Sequence, residues 1–217
     1  MRPHQSIQTV LFDLDGTLID TAQDLVSALS SLVDKPIALT PEMRAAAGRG
    51  CRGLIKAGLN IEIHDERYPN LAKQLLDHYE KHLLDTTKLF PGMDIILKHL
   101  DENTIPWGIV TNKPHKYTQL ILEGLALSNR THCVISGDSL TNRKPHPEPI
   151  LHACELLKKF PQHCLYIGDT EIDVIASKAA GTHSVVALYG YIHQHENPKS
   201  WNADGYIQQP SEILQYL

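Results

Sequence analysis

Thr9-Val10-Leu11-Phe12-Asp13-Leu14-Asp15-Gly16-Thr17-Leu18 is the stretch from which the fold can be worked out. An unbroken apolar run stops abruptly at a polar cluster that begins with Asp13. Such a short run, bounded by turn residues, suits a strand covered on both faces, as in a parallel sheet. The pattern recurs downstream. Residues 107–110 (Trp-Gly-Ile-Val) precede Thr111, residues 133–135 (Cys-Val-Ile) precede Ser136, and residues 164–167 (Cys-Leu-Tyr-Ile) precede Gly168-Asp169. A fifth run, residues 184–188, follows Gly181.

Helical periodicity fills the gaps between the later runs. Residues 92–102 carry Met93, Ile96, Leu97 and Leu100; residues 115–125 carry Leu120, Ile121 and Leu125. Residues 147–158 and 171–180 repeat the spacing, and Gly181 supplies a stop. This alternation predicts an α/β fold with a doubly wound, mainly parallel sheet. Residues 20–88 break the rhythm. Leu25, Leu29 and Leu32 mark one helix, and Leu71, Leu75 and Leu76 mark a longer one running to Leu84. The expected organisation is therefore a core of residues 1–19 and 89–217 with an inserted α-helical cap domain of residues 20–88. Phe90-Pro91-Gly92 marks the return to the core.

Composition bounds the partners. Of 217 residues, 42% are hydrophobic and 21% charged, ordinary values for a folded chain. Twenty basic residues against twenty-five acidic give a net charge of -5, which argues against nucleic acid as a main partner. Four cysteines, Cys51, Cys133, Cys154 and Cys164, form no CxxC pair and read as reduced thiols. The N-terminal residues lack a signal-like apolar stretch, and no run reaches the length of a membrane helix, so a cytoplasmic protein without membrane partners is expected. The thirteen histidines show no HExxH motif, which argues against zinc.

In open α/β sheets, ligands bind at the carboxyl ends of the strands, where the polar clusters fall. Asp13 and Asp15 form a carboxylate pair at the first such end. One can attack phosphorus to give an aspartyl-phosphate, and the other can protonate the leaving alcohol. Gly16 permits a sharp turn, and Thr17 can offer a hydroxyl to a phosphate oxygen. Thr111 and Asn112 can bind phosphate oxygens through a hydroxyl and backbone N–H groups. Lys144, set before a Lys-Pro-x-Pro turn, can offset the carboxylates and hold Asp13 ionised. Asp169 is placed to complete an oxygen-ligand site, which suits Mg2+, or to cap the next helix. Asp173 is placed to hold a ligand water or to orient Lys144.

In this order, Asp13-Leu14-Asp15-Gly16-Thr17, Thr111, Lys144, and Gly168-Asp169 with Asp173 resemble the motifs of the haloacid dehalogenase superfamily of phosphatases. The resemblance covers nearly the whole chain, and the helical insert is similar to that family's mobile cap. It implies that Asp13 is phosphorylated and that Asp15 acts as acid, then base. It also implies that magnesium sits on Asp13, the Asp15 main-chain carbonyl and Asp169. Lys88-Leu89-Phe90-Pro91-Gly92-Met93, residues 107–114 and Tyr189-Gly190-Tyr191-Ile192 resemble both phosphoglycolate phosphatases and N-acetylmuramic acid 6-phosphate phosphatases. The expected substrate is a small carboxylated phosphometabolite, phosphoglycolate first, with N-acetylmuramic acid 6-phosphate as the alternative substrate. A phosphosugar mutase and a non-catalytic binding protein on the same fold are the alternatives.

Gly48-Arg49-Gly50-Cys51-Arg52-Gly53 reads as a glycine-bounded turn segment in the insert. There Arg49 or Arg52 can meet a substrate carboxylate as a planar fork. Lys113 is a weaker candidate of the same kind.

Overall fold

The computed structural model describes residues 7–217. The first six residues, part of the stretch that lacks a signal-like pattern, lie outside the described residues. In chain order the elements are β1 (Thr9–Phe12), β2 (Ile19–Asp20), α1 (Ala22–Ser30), α2 (Pro41–Ala47), α3 (Gly50–Leu59) and α4 (Tyr68–His82). There follow β3 (Lys88–Leu89), α5 (Met93–Glu102), β4 (Trp107–Val110), α6 (His115–Gly124), β5 (Cys133–Ile135) and α7 (Glu148–Leu156). The chain ends with β6 (Cys164–Gly168), α8 (Glu171–Ala180), β7 (His183–Ala187), β8 (Gly205–Ile207) and a final 3-10 turn. Among the described residues no helix is long and apolar enough to cross a membrane.

Six strands form a parallel sheet in the order β5-β4-β1-β6-β7-β8. The chain starts at β1, steps outward through β4 to β5, then returns to β6 and runs the other way. The order thus reverses beside β1, the place where open α/β sheets bind ligands. Register makes this concrete: Phe12 lies opposite both Ile109 and Ile167. Residues just past these three strand ends are therefore neighbours. All four residues of β1 are buried, as the apolar run requires.

The sheet contains one strand that apolar patterning does not reveal. Gly205-Tyr206-Ile207 is short, begins with glycine and lies at the sheet edge, so it shows no continuous apolar run. It nonetheless pairs in parallel with β7, with Val186 opposite Tyr206.

The chain divides into two compact units. The first holds residues up to Ile19, Leu89–Gly190 and Asn197–Leu217; the second holds Asp20–Lys88 and Tyr191–Glu196. The expected assignment of all of 89–217 to the core needs correction at Tyr191–Glu196. Tyr191 explains the difference. Its hydroxyl accepts from the backbone N–H groups of Thr21 (2.7 Å) and Ala22 (2.9 Å) and donates to Asp20 Oδ1 (2.8 Å). These are the unsatisfied donors at the start of α1, so a distant tyrosine supplies the helix cap. Asp20 also takes both of its oxygens to Arg44, at 2.9 and 2.8 Å.

The glycine-bounded segment also differs in part from its sequence reading. It turns at Gly48 and Arg49, as read, and is helical from Gly50 onward, where α3 begins. A Cβ at Gly53 would stand 2.5 Å from the Ala46 carbonyl oxygen. The glycine cost to helix stability is accepted there because the backbones of α2 and α3 approach closely. Thr40 caps α2 by accepting from the Met43 N–H at 3.2 Å, with Pro41 at the first helical position.

Within the helical unit, Asp24 ties α1 to the segment after α4. Its carboxylate is 1% exposed. It accepts from the N–H and hydroxyl of Thr86 (3.0 and 2.6 Å) and from those of Thr87 (2.9 and 2.7 Å). Asp24→Ala leaves buried donors unpaired across a chain separation of more than 60 residues. It should lower stability by about 3 kcal/mol, read as a reduced midpoint in urea unfolding.

Candidate active site

β1 delivers Asp13 and Asp15. The Asp13 N–H donates to Ile167 O at 2.8 Å, prolonging the ladder by one residue. The chain then turns at Gly16, whose φ of 85° is the left-handed conformation that favours glycine. The Gly16 N–H closes the turn on Ile19 O at 3.0 Å. Both carboxylates are thereby presented from one tight loop, Asp13 largely buried and Asp15 with its side chain 19% exposed.

Lys144 reaches this point from the segment after β5. Its ammonium lies 2.7 Å from Asp13 Oδ1 and 2.7 Å from Asp173 Oδ1. It is also 2.8 Å from both Val110 O and the Tyr166 hydroxyl. An ammonium has three protons, so four acceptors saturate it. The Tyr166 hydroxyl lies 3.0 Å from each of Val110 O and Asp173 Oδ1, so it relays its own proton within the same group. The Lys144 side chain is 2% exposed.

Charge at this cluster is contested. Burial pushes the Asp13 carboxyl up to about 6; Lys144 pulls it back, and Asp173 raises it further. Burial would lower the Lys144 ammonium, but Asp13 and Asp173 outweigh it and hold it above its ordinary value. The two directions agree once one cation is seen to be shared between two buried carboxylates. Burial, then Asp173, pushes the Tyr166 phenol far up, so it stays a neutral donor.

β6 ends at Gly168-Asp169. Asp169 Oδ1 accepts from the Thr17 hydroxyl at 3.2 Å, and Asp169 is 1% exposed. The cap of α8 is Thr170, not Asp169. Asp173 Oδ2 accepts from the N–H and hydroxyl of Thr170 (3.0 and 2.5 Å) while its Oδ1 serves Lys144 and Tyr166. Asp173 is thus placed against Lys144, with neither oxygen left over for a ligand water. Two glycines are required by this crowding. A Cβ at Gly168 would collide with the Asp173 carboxyl, and one at Gly190 would collide with Asp169.

β4 ends at Thr111, which is 4% exposed. Its hydroxyl oxygen accepts from the Lys113 N–H at 3.1 Å, so its own proton can serve a phosphate oxygen. The Asn112 side chain is committed elsewhere: its Nδ2 donates to Lys144 O at 2.9 Å, tying the two loops together. A phosphate contact at Asn112 thus falls to the backbone N–H, one of the two donors expected at this strand end. Arg49 and Arg52 belong to the helical unit, where Arg49 pairs with Glu196 at 3.0 Å.

Oxygen atoms of Asp13, Asp169 and Asp173 lie within 4.8 Å of one another. Those three carboxylates stand against one ammonium, that of Lys144. That excess of two negative charges and the all-oxygen donor set fit a hard divalent cation. Because Asp173 spends both oxygens on protein donors, Asp13 and Asp169 are the carboxylates that would hold it.

Two residues of the site are not marked as such by the sequence. Tyr166 lies inside an apolar run and reads as core. A tyrosine in a fully buried strand must find a partner for its hydroxyl, and that is the available signal. Lys113 reads only as a weak contact for substrate, yet its ammonium sits 3.0 and 3.1 Å from the two Asp15 carboxylate oxygens.

Comparison with known proteins agrees with this arrangement. The chain is 36% identical over 209 residues to a phosphoglycolate phosphatase of Xanthomonas campestris pv. campestris, covering 95% of this chain and 94% of that one. It is 32% identical over 214 residues to an N-acetylmuramic acid 6-phosphate phosphatase of Pseudomonas putida, covering 97% and 96%. A crystal structure described as a predicted phosphoglycolate phosphatase from Haemophilus somnus superposes with a TM-score of 0.84 at 26% identity, covering 96% and 97%. The family model for haloacid dehalogenase-like hydrolases matches residues 10–187, which span β1 through β7 and every carboxylate and lysine of the cluster, and the chain belongs to that family.

Proposed function

We propose that the chain is a phosphoric monoester hydrolase that works through a phospho-Asp13 intermediate, requires Mg2+, and acts on phosphoglycolate. The observation that carries this reading is the Asp13–Lys144–Asp173 group beside Asp15. Lys144 engages Asp13 Oδ1, so attack on phosphorus falls to Oδ2. As the Oδ2–P bond forms and the ester P–O bond breaks, Asp15 gives its proton to the leaving oxygen. In the second step water attacks phosphorus, the Asp13–P bond breaks, and Asp15 takes a proton from the water. The Thr111 hydroxyl supplies a donor to the phosphate oxygens, whereas the Gly16 N–H, read as a phosphate contact, is taken up by Ile19 O, and Lys144 offsets the phosphate charge through both steps. A bound divalent cation, held by Asp13, Asp169 and the Asp15 carbonyl, would supply further positive charge against the phosphate oxygens.

The substrate reading draws on the relatives' names and on the two arginines of the insert. Phosphoglycolate carries a carboxylate, the group that a planar guanidinium such as that of Arg49 or Arg52 suits. N-acetylmuramic acid 6-phosphate is the second reading, favoured by the Pseudomonas relative that matches over 97% of this chain. The test is a phosphate-release panel with both compounds and several sugar phosphates, with and without a chelator. Release from phosphoglycolate, lost on chelation and restored by magnesium, is the expected result. Preference for the muramic acid ester would transfer the substrate, and isomerisation of a sugar phosphate without release would point to a mutase. No release from any member would leave the fold without this activity.

A further inference from the structure

We propose that Lys113 is a positioning residue for Asp15, holding the carboxylate that shuttles the proton in the orientation both steps need. The proposal rests on the phosphatase reading above and adds a role that reading does not contain.

Three observations carry it. The first is burial. The Lys113 side chain is only 6% exposed, and a lysine is rarely placed so deep unless it is paired. The second is geometry. One ammonium contacts both Asp15 oxygens at nearly equal distances, 3.0 and 3.1 Å, which fixes the plane of the carboxylate as well as its position. The third is anchoring. The Lys113 N–H donates to the Thr111 hydroxyl (3.1 Å), and its carbonyl accepts from the Gly137 N–H (2.9 Å). The neighbouring Asn112 side chain is bound to Lys144 O. The backbone beneath Lys113 is therefore pinned to the loops that carry Thr111 and Lys144.

The chemistry gives this anchoring a use. Asp15 stands just before the Gly16 turn at the more exposed edge of the cluster, with its side chain 19% exposed. A carboxyl free to rotate there would spend much of its time misdirected, and small misplacements of a catalytic group are costly. Asp13 needs no such help, because Lys144 already holds it.

A positioning role predicts an effect that runs through Asp15 and through the leaving group. An alkyl phosphate such as phosphoglycolate needs its leaving oxygen protonated, whereas p-nitrophenolate departs without help. The parameter to compare is kcat/KM, which reports the transfer step, for Lys113→Met against wild type. We expect a loss of roughly 30-fold on phosphoglycolate and less than about 3-fold on p-nitrophenyl phosphate. In an Asp15→Asn background the same substitution should change the residual rate by less than about 2-fold, because coupled residues are non-additive. Lys113→Arg, which keeps a charged donor, should recover most of the phosphoglycolate activity. Should Lys113→Met fail to fold, as melting would show, Lys113→Gln carries both comparisons. Equal losses on the two esters, or a full additional loss in the Asp15→Asn background, would overturn the role. Wild-type turnover that vanishes in Asp13→Asn checks the underlying reading separately; an inactive wild type sinks both.

Discussion

Asp13→Asn should remove turnover by roughly 10⁴–10⁶-fold while leaving the protein at least as stable as wild type in metal-free buffer. An amide of the same shape cannot attack phosphorus, so the activity loss follows from chemistry alone. The stability result follows from burial. Asp13 is pushed up to about 6 from 3.8, so between those values the folded chain holds a proton that the unfolded chain releases. The folded state then binds more protons, and stability due to this group falls as pH rises from about 4 to about 6. Above pH 6 the buried charge is a standing cost on the order of 2–3 kcal/mol, which asparagine lacks. The same shift fixes a pH dependence. A metal must compete with that proton, so the rise in melting temperature on adding magnesium should shrink as pH falls through about 6. A metal effect of equal size at pH 5 and pH 7.5 would remove Asp13 from the ligand set. Residual turnover within tenfold of wild type would remove it as the nucleophile.

The second large effect belongs to Lys144. Lys144→Met keeps the length and apolar stem but leaves Asp13 and Asp173 buried without the cation between them. Breaking a buried pair from one side costs about 3–5 kcal/mol, because the remaining charge is unpaired. Here two carboxylates are stranded, and the Tyr166 hydroxyl and Val110 carbonyl each lose a partner. Activity should fall with stability, since the nucleophile loses its orienting hydrogen bond. The pH dependence separates this mechanism from simple misfolding. The stranded Asp13 carboxyl, already raised by burial, takes up its proton more readily once Lys144 no longer lowers it, so the deficit should be largest near pH 7.5 and smaller near pH 5.5. Urea midpoints of wild type and variant at the two pH values measure this. A deficit that did not change with pH would assign the loss to packing.

Asp13, Thr111, Lys144 and Asp169 are legible in the chain because each stands where an apolar run stops or a rigid turn begins. Parallel strands place those stops side by side, so position along the chain stands in for position in space. Legibility ends where a residue's partner lies far away in sequence. Asp15 is 98 positions from Lys113, and nothing local in either segment marks the pairing. Tyr166 is hidden by its own apolar neighbours, although its hydroxyl is part of the charged cluster. The helix at Gly50 is hidden for the opposite reason. Glycine propensity argues against a helix locally, and only the close approach at Gly53, a tertiary fact, makes glycine the residue that fits there. β8 escapes notice because three residues at a sheet edge carry too little hydrophobic signal.

Tyr191 bears on any attempt to exchange the helical unit among relatives. The helical unit is made of two separate pieces of chain, so a transplant of residues 20–88 alone would bring an α1 whose first amides expect a phenol that the recipient has not supplied. The cassette that should travel intact is 20–88 together with 191–196, and chimeras built from the longer piece only are expected to lose the α1 cap before they reveal anything about substrate.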